Sequence, residues 1–344
     1  TAVPNSIGAI VNLTTNIAAN TVLTLDGNKT LGVLVMGDQN NTARFEIAQG
    51  SGGSLIFNNG DYGKALLSKV QSNSTTVGID LISAPIVLAS NLRINVNAGG
   101  NTARLDISGS ISQVAGSTLG LDIMGPGRLT LSGGTANTYT GLTTVFSRGS
   151  SDATNPNLVL AKTITNGTII GDLKIGNVSM GGSGTGVVQL GASEQIANTS
   201  LIKFDSGFGG DSASNNGNNS YWKLMGFDET VRGLSDFTAS GVIENLEGEN
   251  QATNSTLTLN TSGVSYFNGF LRDRANNTGT GVLNLVVGGT GTQVLALGNV
   301  SYSGLTTINS GATLILESAT SFGNGVGSAP VGSIGVQTIT NNGT

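Results

Sequence analysis

Residues 138–145 read TYTGLTTV, and nearly the same pattern returns as SYSGLTTI at residues 301–308. Tyr139 in the first copy corresponds to Tyr302 in the second. Each copy follows a glycine-rich stretch and a short run of alternating apolar and polar residues. Self-similarity within a chain is typical of repeat architectures, in which each unit packs on its neighbours. The motif therefore predicts a stack of similar units rather than a compact fold around one centre.

Short strand patterns fill the rest of the chain. Residues 22–25 (VLTL) run into Asp26-Gly27, and many later runs also close on Gly, Asn or Asp, which is typical of strands joined by turns. Alternation places Leu257 and Leu259 on one face of a strand and the threonines beside them on the other. Residues 62–70 are the best helical candidate, and we favour a loop or a strand there because the stretch is short.

Two all-β architectures fit these strands, namely stacked sandwiches and a right-handed parallel β-helix (β-solenoid). Only 5% of the residues are aromatic, and no aromatic anchor recurs at the ~100-residue period of sandwich domains. Small aliphatic residues suit a narrow solenoid core. With coils of roughly 20–25 residues, we predict roughly 15 coils. We expect a single continuous solenoid over residues 1–344, with internal cycles at approximately 1–160 and 161–344.

The composition argues against several functional classes. The net charge is −5 and only 10% of the residues are charged, so neither nucleic acid nor an anionic membrane surface is an expected partner. The chain lacks histidine, the commonest acid–base group and metal ligand. It also lacks cysteine, so its stability must come from burial and main-chain pairing.

Residues 125–133 (GPGRLTLSG), together with the motif at 138–145, resemble the autotransporter-associated β-strand repeat. The copy that begins near residue 289 is looser before Tyr302 but keeps the turn. The resemblance implies a right-handed β-helix in the passenger region of a Gram-negative surface protein. It also implies an extracellular or cell-surface location and membrane attachment only through a C-terminal β-barrel beyond this segment. The abrupt ends predict that the chain is part of a longer protein.

The expected role is therefore an extracellular structural or adhesive solenoid, such as a stalk, scaffold or surface-fibre segment, without catalysis. The expected partners are the chain itself, end to end or laterally, and surface glycans or host matrix. We transfer no catalytic residue, because the repeat carries none. Structural roles within the repeat motif are expected for Gly125, Gly127, Tyr139, Gly141, Tyr302 and Gly304.

The alternative function is a polysaccharide-binding or polysaccharide-degrading β-helix. Glu244, Glu247 and Glu249 are close in sequence, and glycosidases use two carboxyl groups at a set separation. The competing interpretation is a solvated strand end. Trp222, the only tryptophan, follows Tyr221 and an Asn/Ser-rich stretch, so this pair is a candidate glycan contact. The competing interpretation is a core or coil-capping aromatic.

No cofactor is expected, with calcium as the alternative. Residues 37–41 (GDQNN) and 205–211 (DSGFGGD) offer oxygen ligands. Calcium needs six to eight oxygens, and neither stretch has the glycine-aspartate array of calcium-binding β-rolls. Both stretches also fit ordinary turns, so no metal-binding residue is assigned.

Overall fold

The computed structural model describes residues 3–70, 79–97, 103–146, 155–176, 185–205, 219–236, 241–246, 252–274, 280–296, 299–317, 321–322 and 339–341. Within these ranges the regular structure is β-strand, apart from one short 3-10 helix at Gly60–Tyr62. All strand pairs are parallel and join successive coils, so the chain forms a β-solenoid. The predicted fold class is confirmed.

Two sheets run the length of the described stack. Sheet A contains β1 (Ile10–Leu13), β4 (Val33–Met36), β7 (Ala65–Lys69), β10 (Leu92–Val96), β13 (Leu121–Met124), β15 (Thr143–Val145), β17 (Leu173–Ile175), β19 (Leu201–Phe204), β22 (Gly233–Asp236), β25 (Val264–Phe267), β28 (Thr292–Ala296) and β31 (Thr313–Glu317). Sheet B contains β2 (Thr21–Leu25), β5 (Phe45–Gln49), β8 (Asp80–Ile82), β11 (Arg104–Ile107), β14 (Arg128–Leu131), β16 (Leu158–Leu160), β18 (Val187–Leu190), β20 (Ser220–Lys223), β23 (Gly241–Leu246), β26 (Phe270–Arg274), β29 (Asn299–Ser301) and β32 (Ser321–Phe322).

The third face of the solenoid is divided between two shorter sheets. Sheet C contains β3 (Lys29–Leu31), β6 (Leu55–Phe57), β9 (Ile86–Leu88) and β12 (Ile111–Gln113). Sheet D contains β21 (Glu229–Val231), β24 (Ser255–Thr261), β27 (Leu283–Gly289), β30 (Thr306–Ile308) and β33 (Ile339–Asn341). Among the described residues between β12 and β21, an isolated parallel bridge joins Ile169 to Ile196.

The predicted number of roughly 15 coils is too high. In the described part of the chain, sheets A and B each have 12 strands, which corresponds to one strand of each sheet per coil. The reason is coil length. Along sheet A, Thr292 pairs with Thr313, whereas Val33 pairs with Leu66, so the coil that follows Val33 is much longer than the coil that follows Thr292. Insertions between strands make many coils longer but do not increase the number of coils.

The core is built from columns of aliphatic side chains in register from coil to coil. Leu67, Ile94 and Ile123 are paired neighbours in sheet A, and each is at most 1% exposed. Full burial of one such side chain stabilises the fold by about 1.5–3 kcal/mol. In β24 the predicted alternation is confirmed, because Leu257 and Leu259 are buried whereas the threonines beside them are partly exposed.

The candidate helix at residues 62–70 is mostly strand. Its central part is β7 (Ala65–Lys69), which pairs with β4 and β10. Ala65 and Leu67 enter the core, so tertiary pairing decides the conformation of a stretch whose local pattern is ambiguous.

Candidate functional site

The repeated motif builds a corner of the solenoid. In the first copy, the Tyr139 hydroxyl lies 2.8 Å from Oγ1 of Thr143, and neither side chain is exposed. A Cβ atom on Gly141 would lie 2.5 Å from the carbonyl oxygen of Leu119 in the preceding coil, so only glycine fits this approach. Leu142, the next residue, is 43% exposed.

The second copy has the same local geometry at a different corner. The Tyr302 hydroxyl lies 2.6 Å from Oγ1 of Thr306, and a Cβ on Gly304 would lie 2.1 Å from the carbonyl oxygen of Leu283. Leu305 is 43% exposed. The first copy leads into β15 of sheet A, whereas the second leads into β30 of sheet D. One sequence motif therefore makes two different corners.

The glycine pair that precedes the first motif closes the turn between β13 and β14. Gly125 has a φ of +92°, which favours glycine, and a Cβ there would lie 2.4 Å from the carbonyl oxygen of Val96. A Cβ on Gly127 would lie 2.5 Å from a side-chain carbon of the same Val96. Both glycines allow this turn to stack closely on the preceding coil.

An open groove of about 320 Å³ runs along the corner of the solenoid that is formed by the turns leading into the strands of sheet A. Successive coils contribute Thr118, Thr140 to Leu142, Ile170 to Asp172, and Thr199 with Ser200 and Lys203. Four coils spaced ~4.8 Å apart make the groove about 14 Å long along the solenoid axis. A Cβ on Gly171 would lie 2.4 Å from the carbonyl oxygen of Gly141, so the groove floor follows the main chain.

An ion-pair group forms one edge of this groove. Asp172 Oδ2 lies 2.8 Å from Lys203 Nζ, and its Oδ1 accepts a hydrogen bond from the Leu201 N–H at 2.9 Å and lies 3.5 Å from Arg232 Nη2. Burial would raise the pKa of Asp172, but the contacts with Lys203, Leu201 and Arg232 hold it below the ordinary value. Asp172 is therefore ionised at neutral pH, and its charge is compensated.

A second charged group lies on the outer face of sheet B. Lys223, Glu244 and Arg272 are register neighbours on β20, β23 and β26, and each is at most 6% exposed. Glu244 Oε1 lies 3.6 Å from Lys223 Nζ, and its Oε2 accepts a 2.9 Å hydrogen bond from Arg272 Nε. Glu247 and Glu249, the other members of the predicted carboxylate group, lie outside the described residues. Glu244 is thus part of a buried cation–anion–cation column.

The expected sugar contact at Tyr221 and Trp222 requires correction, because both rings are buried. Trp222 is 0% exposed and lies in the main core. It is the register partner of Val188 on the neighbouring strand β18. Tyr221 is 2% exposed and packs with Val187, Val242 and Phe270 on the outer face of sheet B. Neither ring presents a face on which a sugar could stack.

Buried polar side chains span the part of the third face between sheets C and D. The Asn137 side chain accepts a hydrogen bond from the Ile111 N–H at 2.8 Å, and its amide donates to the Thr168 carbonyl at 2.8 Å. Glu229 accepts hydrogen bonds from the N–H groups of Gln195 and Ile196 at 2.8 and 3.2 Å. These side chains take the place of the main-chain ladder between coils.

Two ionisable groups in this region have shifted pKa values. Burial raises the pKa of Glu229 to about 8, although the N–H groups of Gln195 and Ile196 favour its charged form. Burial lowers the pKa of Lys162 to about 8, against the opposing charge of Asp106. Lys162 Nζ donates to the carbonyl oxygens of Ser132 and Gly109 at 2.9 and 3.2 Å. These contacts connect neighbouring coils, and the sequence contains no motif that marks them.

Asp38, in the candidate calcium stretch at 37–41, is hydrogen-bonded to main-chain N–H groups of the protein itself. Its carboxylate accepts hydrogen bonds from the N–H groups of Ile17, Thr42 and Ala43 at 3.0, 2.8 and 2.9 Å. This geometry fits the turn interpretation. Most of the other candidate, 205–211, lies outside the described residues. In the described ranges, no group of three or more acidic side chains could hold a metal ion.

No family model matches the chain, and neither a curated protein nor a solved structure matches it. Among the described residues, no helix is long and apolar enough to span a membrane.

Proposed function

We propose that the chain is an extracellular structural or adhesive solenoid, serving as a stalk, scaffold or surface-fibre segment of an autotransporter-type protein without catalysis. The observation that supports this role is the pair of 12-stranded sheets in the described part of the chain. A stack of this many strands separates its first and last coils by about 50 Å.

The mechanism of such a spacer is geometric. Parallel pairing on sheets A and B satisfies main-chain groups from coil to coil, and the aliphatic columns remove the interior from water. Each coil contacts mainly its neighbours, so length grows with coil number while the cross-section is kept. The chain has no cysteine, so no disulfide contributes to this stack. The sequence resemblance supports the surface location.

Projection from a surface tests the spacer role. One end of the chain would be tethered to a supported bilayer, and the height of a fluorophore at the other end would be measured by distance-dependent quenching. We expect a narrow height distribution centred at about 50 Å, the span of the strand stack. A Gly/Ser linker of equal residue number is the control. A distribution as broad as that of the linker would refute the spacer role.

The alternative, a polysaccharide-degrading domain, predicts turnover. Glu244 has two cationic neighbours, which favours a structural ion pair over a general acid. Incubation with neutral and uronate-containing polysaccharides should release no new reducing ends. Release by the wild type would replace the structural proposal with an enzymatic one, and its loss in a Glu244→Gln variant that circular dichroism shows to be folded would assign the catalysis to Glu244.

Self-association, end to end or lateral, is a second proposed property. Exposed strand edges can pair with another chain, and the apolar side chain of Val264, on β25 within the stack, is 77% exposed. Sedimentation over a wide concentration range tests this, and a constant monomer mass would exclude it.

A further inference from the structure

We infer that the groove before sheet A is a binding site for an uncharged saccharide chain. The inference deepens the adhesive part of the proposed function and does not depend on the rod acting as a spacer. The groove extends across four corners and so suits a linear ligand aligned with the solenoid axis. Its volume of about 320 Å³ is at the lower end of the range of small-ligand sites.

The lining is suited to hydroxyl groups. Thr118, Thr140 and Thr199 each line the groove with a side chain that can both donate and accept hydrogen bonds. Asp172 adds carboxylate acceptors, and Lys203 adds an ammonium donor whose side chain is 40% exposed. Adjacent donors and acceptors of this kind match the neighbouring hydroxyls of a sugar ring.

The charges favour an uncharged ligand. Lys203 and Asp172 are 2.8 Å apart and largely neutralise each other within the groove. Arg232 Nη2 lies 3.5 Å from the other carboxylate oxygen of Asp172, so all three charged groups are engaged in one ion-pair group. A ligand that carries hydroxyls without charge can bind beside this group without breaking any of its ion pairs.

The apolar contact comes from the repeat motif itself. Leu142 is 43% exposed and lines the groove beside Ile170, where both can contact the C–H face of a sugar ring. This arrangement replaces the aromatic platform that the sequence suggested at Trp222. Leu305, at the same place in the second motif, is equally exposed but does not line this groove.

That pair of leucines supplies a matched test. Wild type, Leu142→Glu and Leu305→Glu would be applied to an array of immobilised oligosaccharides that includes neutral hexose, neutral N-acetylhexosamine and uronate-containing chains. We expect wild type and Leu305→Glu to bind neutral chains alike, and Leu142→Glu to lose at least tenfold in signal. Thr199→Glu, a change at an exposed position of the groove two coils further along the solenoid, should show the same loss.

Circular dichroism and thermal melting would establish that all the variants are folded, which is expected because the changed side chains are exposed. Three results would overturn the inference: no binding of neutral chains by wild type, equal binding by Leu142→Glu, or binding confined to uronate chains. None of these results would affect the height measurement, so failure of the groove and failure of the spacer role are distinguishable.

Discussion

The side-chain hydroxyls of Tyr139 and Thr143 are joined by a 2.8 Å hydrogen bond inside the solenoid, where neither residue is exposed to solvent. The pair closes a corner, since Tyr139 precedes the turn and Thr143 begins β15. Tyr302 and Thr306 repeat the contact at 2.6 Å before a strand of another sheet. Burial raises the pKa of both phenols, so each stays protonated at neutral pH and can donate.

The Tyr139–Thr143 contact should contribute measurably to stability. Tyr139→Phe removes the phenol hydroxyl and leaves the buried Thr143 hydroxyl without that partner, which costs about 1–3 kcal/mol of unfolding free energy. Thr143→Val tests the other side of the contact. A double-mutant cycle in denaturant should give a coupling energy of about 0.5–1.5 kcal/mol. A coupling near zero would show that the two hydroxyls act independently.

The corner glycines should tolerate no Cβ atom. Gly141→Ala and Gly304→Ala each place a methyl group within 2.5 Å of a carbonyl oxygen in the preceding coil, so the stacked coils must separate. We expect each to destabilise the protein by about 1–3 kcal/mol. Gly263→Ala is the matched control, because nothing lies within 4 Å of its Cβ. Equal melting temperatures for all three variants would contradict the assigned role of the corners.

The buried charge column should depend on its central carboxylate. Glu244→Ala leaves Lys223 and Arg272 buried without their shared anion, at a cost of about 3–5 kcal/mol. By contrast, Arg44→Met removes a partly exposed pair with Glu46 and should change the unfolding free energy by less than about 1 kcal/mol. Chemical denaturation compares the two. If Glu244→Ala lowers the unfolding free energy by no more than Arg44→Met does, the three buried charged residues do not stabilise the fold as one group.

Stability should pass through a minimum near pH 8. The folded pKa of Glu229 is raised from 4.5 to about 8, so the unfolded chain releases this proton first and stability falls as the pH rises between these values. Lys162 acts oppositely, because its folded pKa is lowered from 10.5 to about 8 and stability rises with pH above that value. The chain has no histidine, so few ordinary groups titrate between pH 5 and 8.

Urea denaturation from pH 4 to 10 measures both effects. The titration of each group changes the unfolding free energy by on the order of a few kcal/mol at most. Glu229→Gln should remove the fall in unfolding free energy below pH 8 and keep the rise above pH 8. Lys162→Met should remove the rise above pH 8 and keep the fall below it. If Glu229→Gln retains the wild-type fall between pH 5 and 8, the group responsible lies elsewhere.

The sequence predicts the solenoid but not its coil boundaries. Alternation at Leu257 and Leu259 reveals a strand with one buried face, because that signal is local. Coil length is set by the insertions between strands, and a local pattern does not show whether such an insertion adds a coil. The two motif copies share their local contacts, yet β15 and β30 lie in different sheets, which depends on the whole path of the chain.

Contacts that depend on register are also invisible to local patterns. Lys223, Glu244 and Arg272 are far apart in sequence, and only the pairing of three strands from successive coils makes them neighbours. Asp236 is 0% exposed at a core position between Phe204 and Phe267, where its carboxylate accepts the Gly241 N–H at 2.6 Å. The groove likewise combines corners from four coils, and the sequence alone shows Leu142 only as part of the repeated motif.

The central claim, a rigid rod of stacked coils, is tested most directly by one distance. Ile10 and Ile315 are exposed outward-facing residues on the first and last strands of sheet A, and the chain contains no cysteine, so both can be changed to cysteine and spin-labelled selectively. Pulsed electron–electron double resonance should give one narrow distribution centred at about 50 Å, because the strands of the sheet are stacked ~4.8 Å apart. A broad distribution, or one centred far from this distance, would contradict the rod.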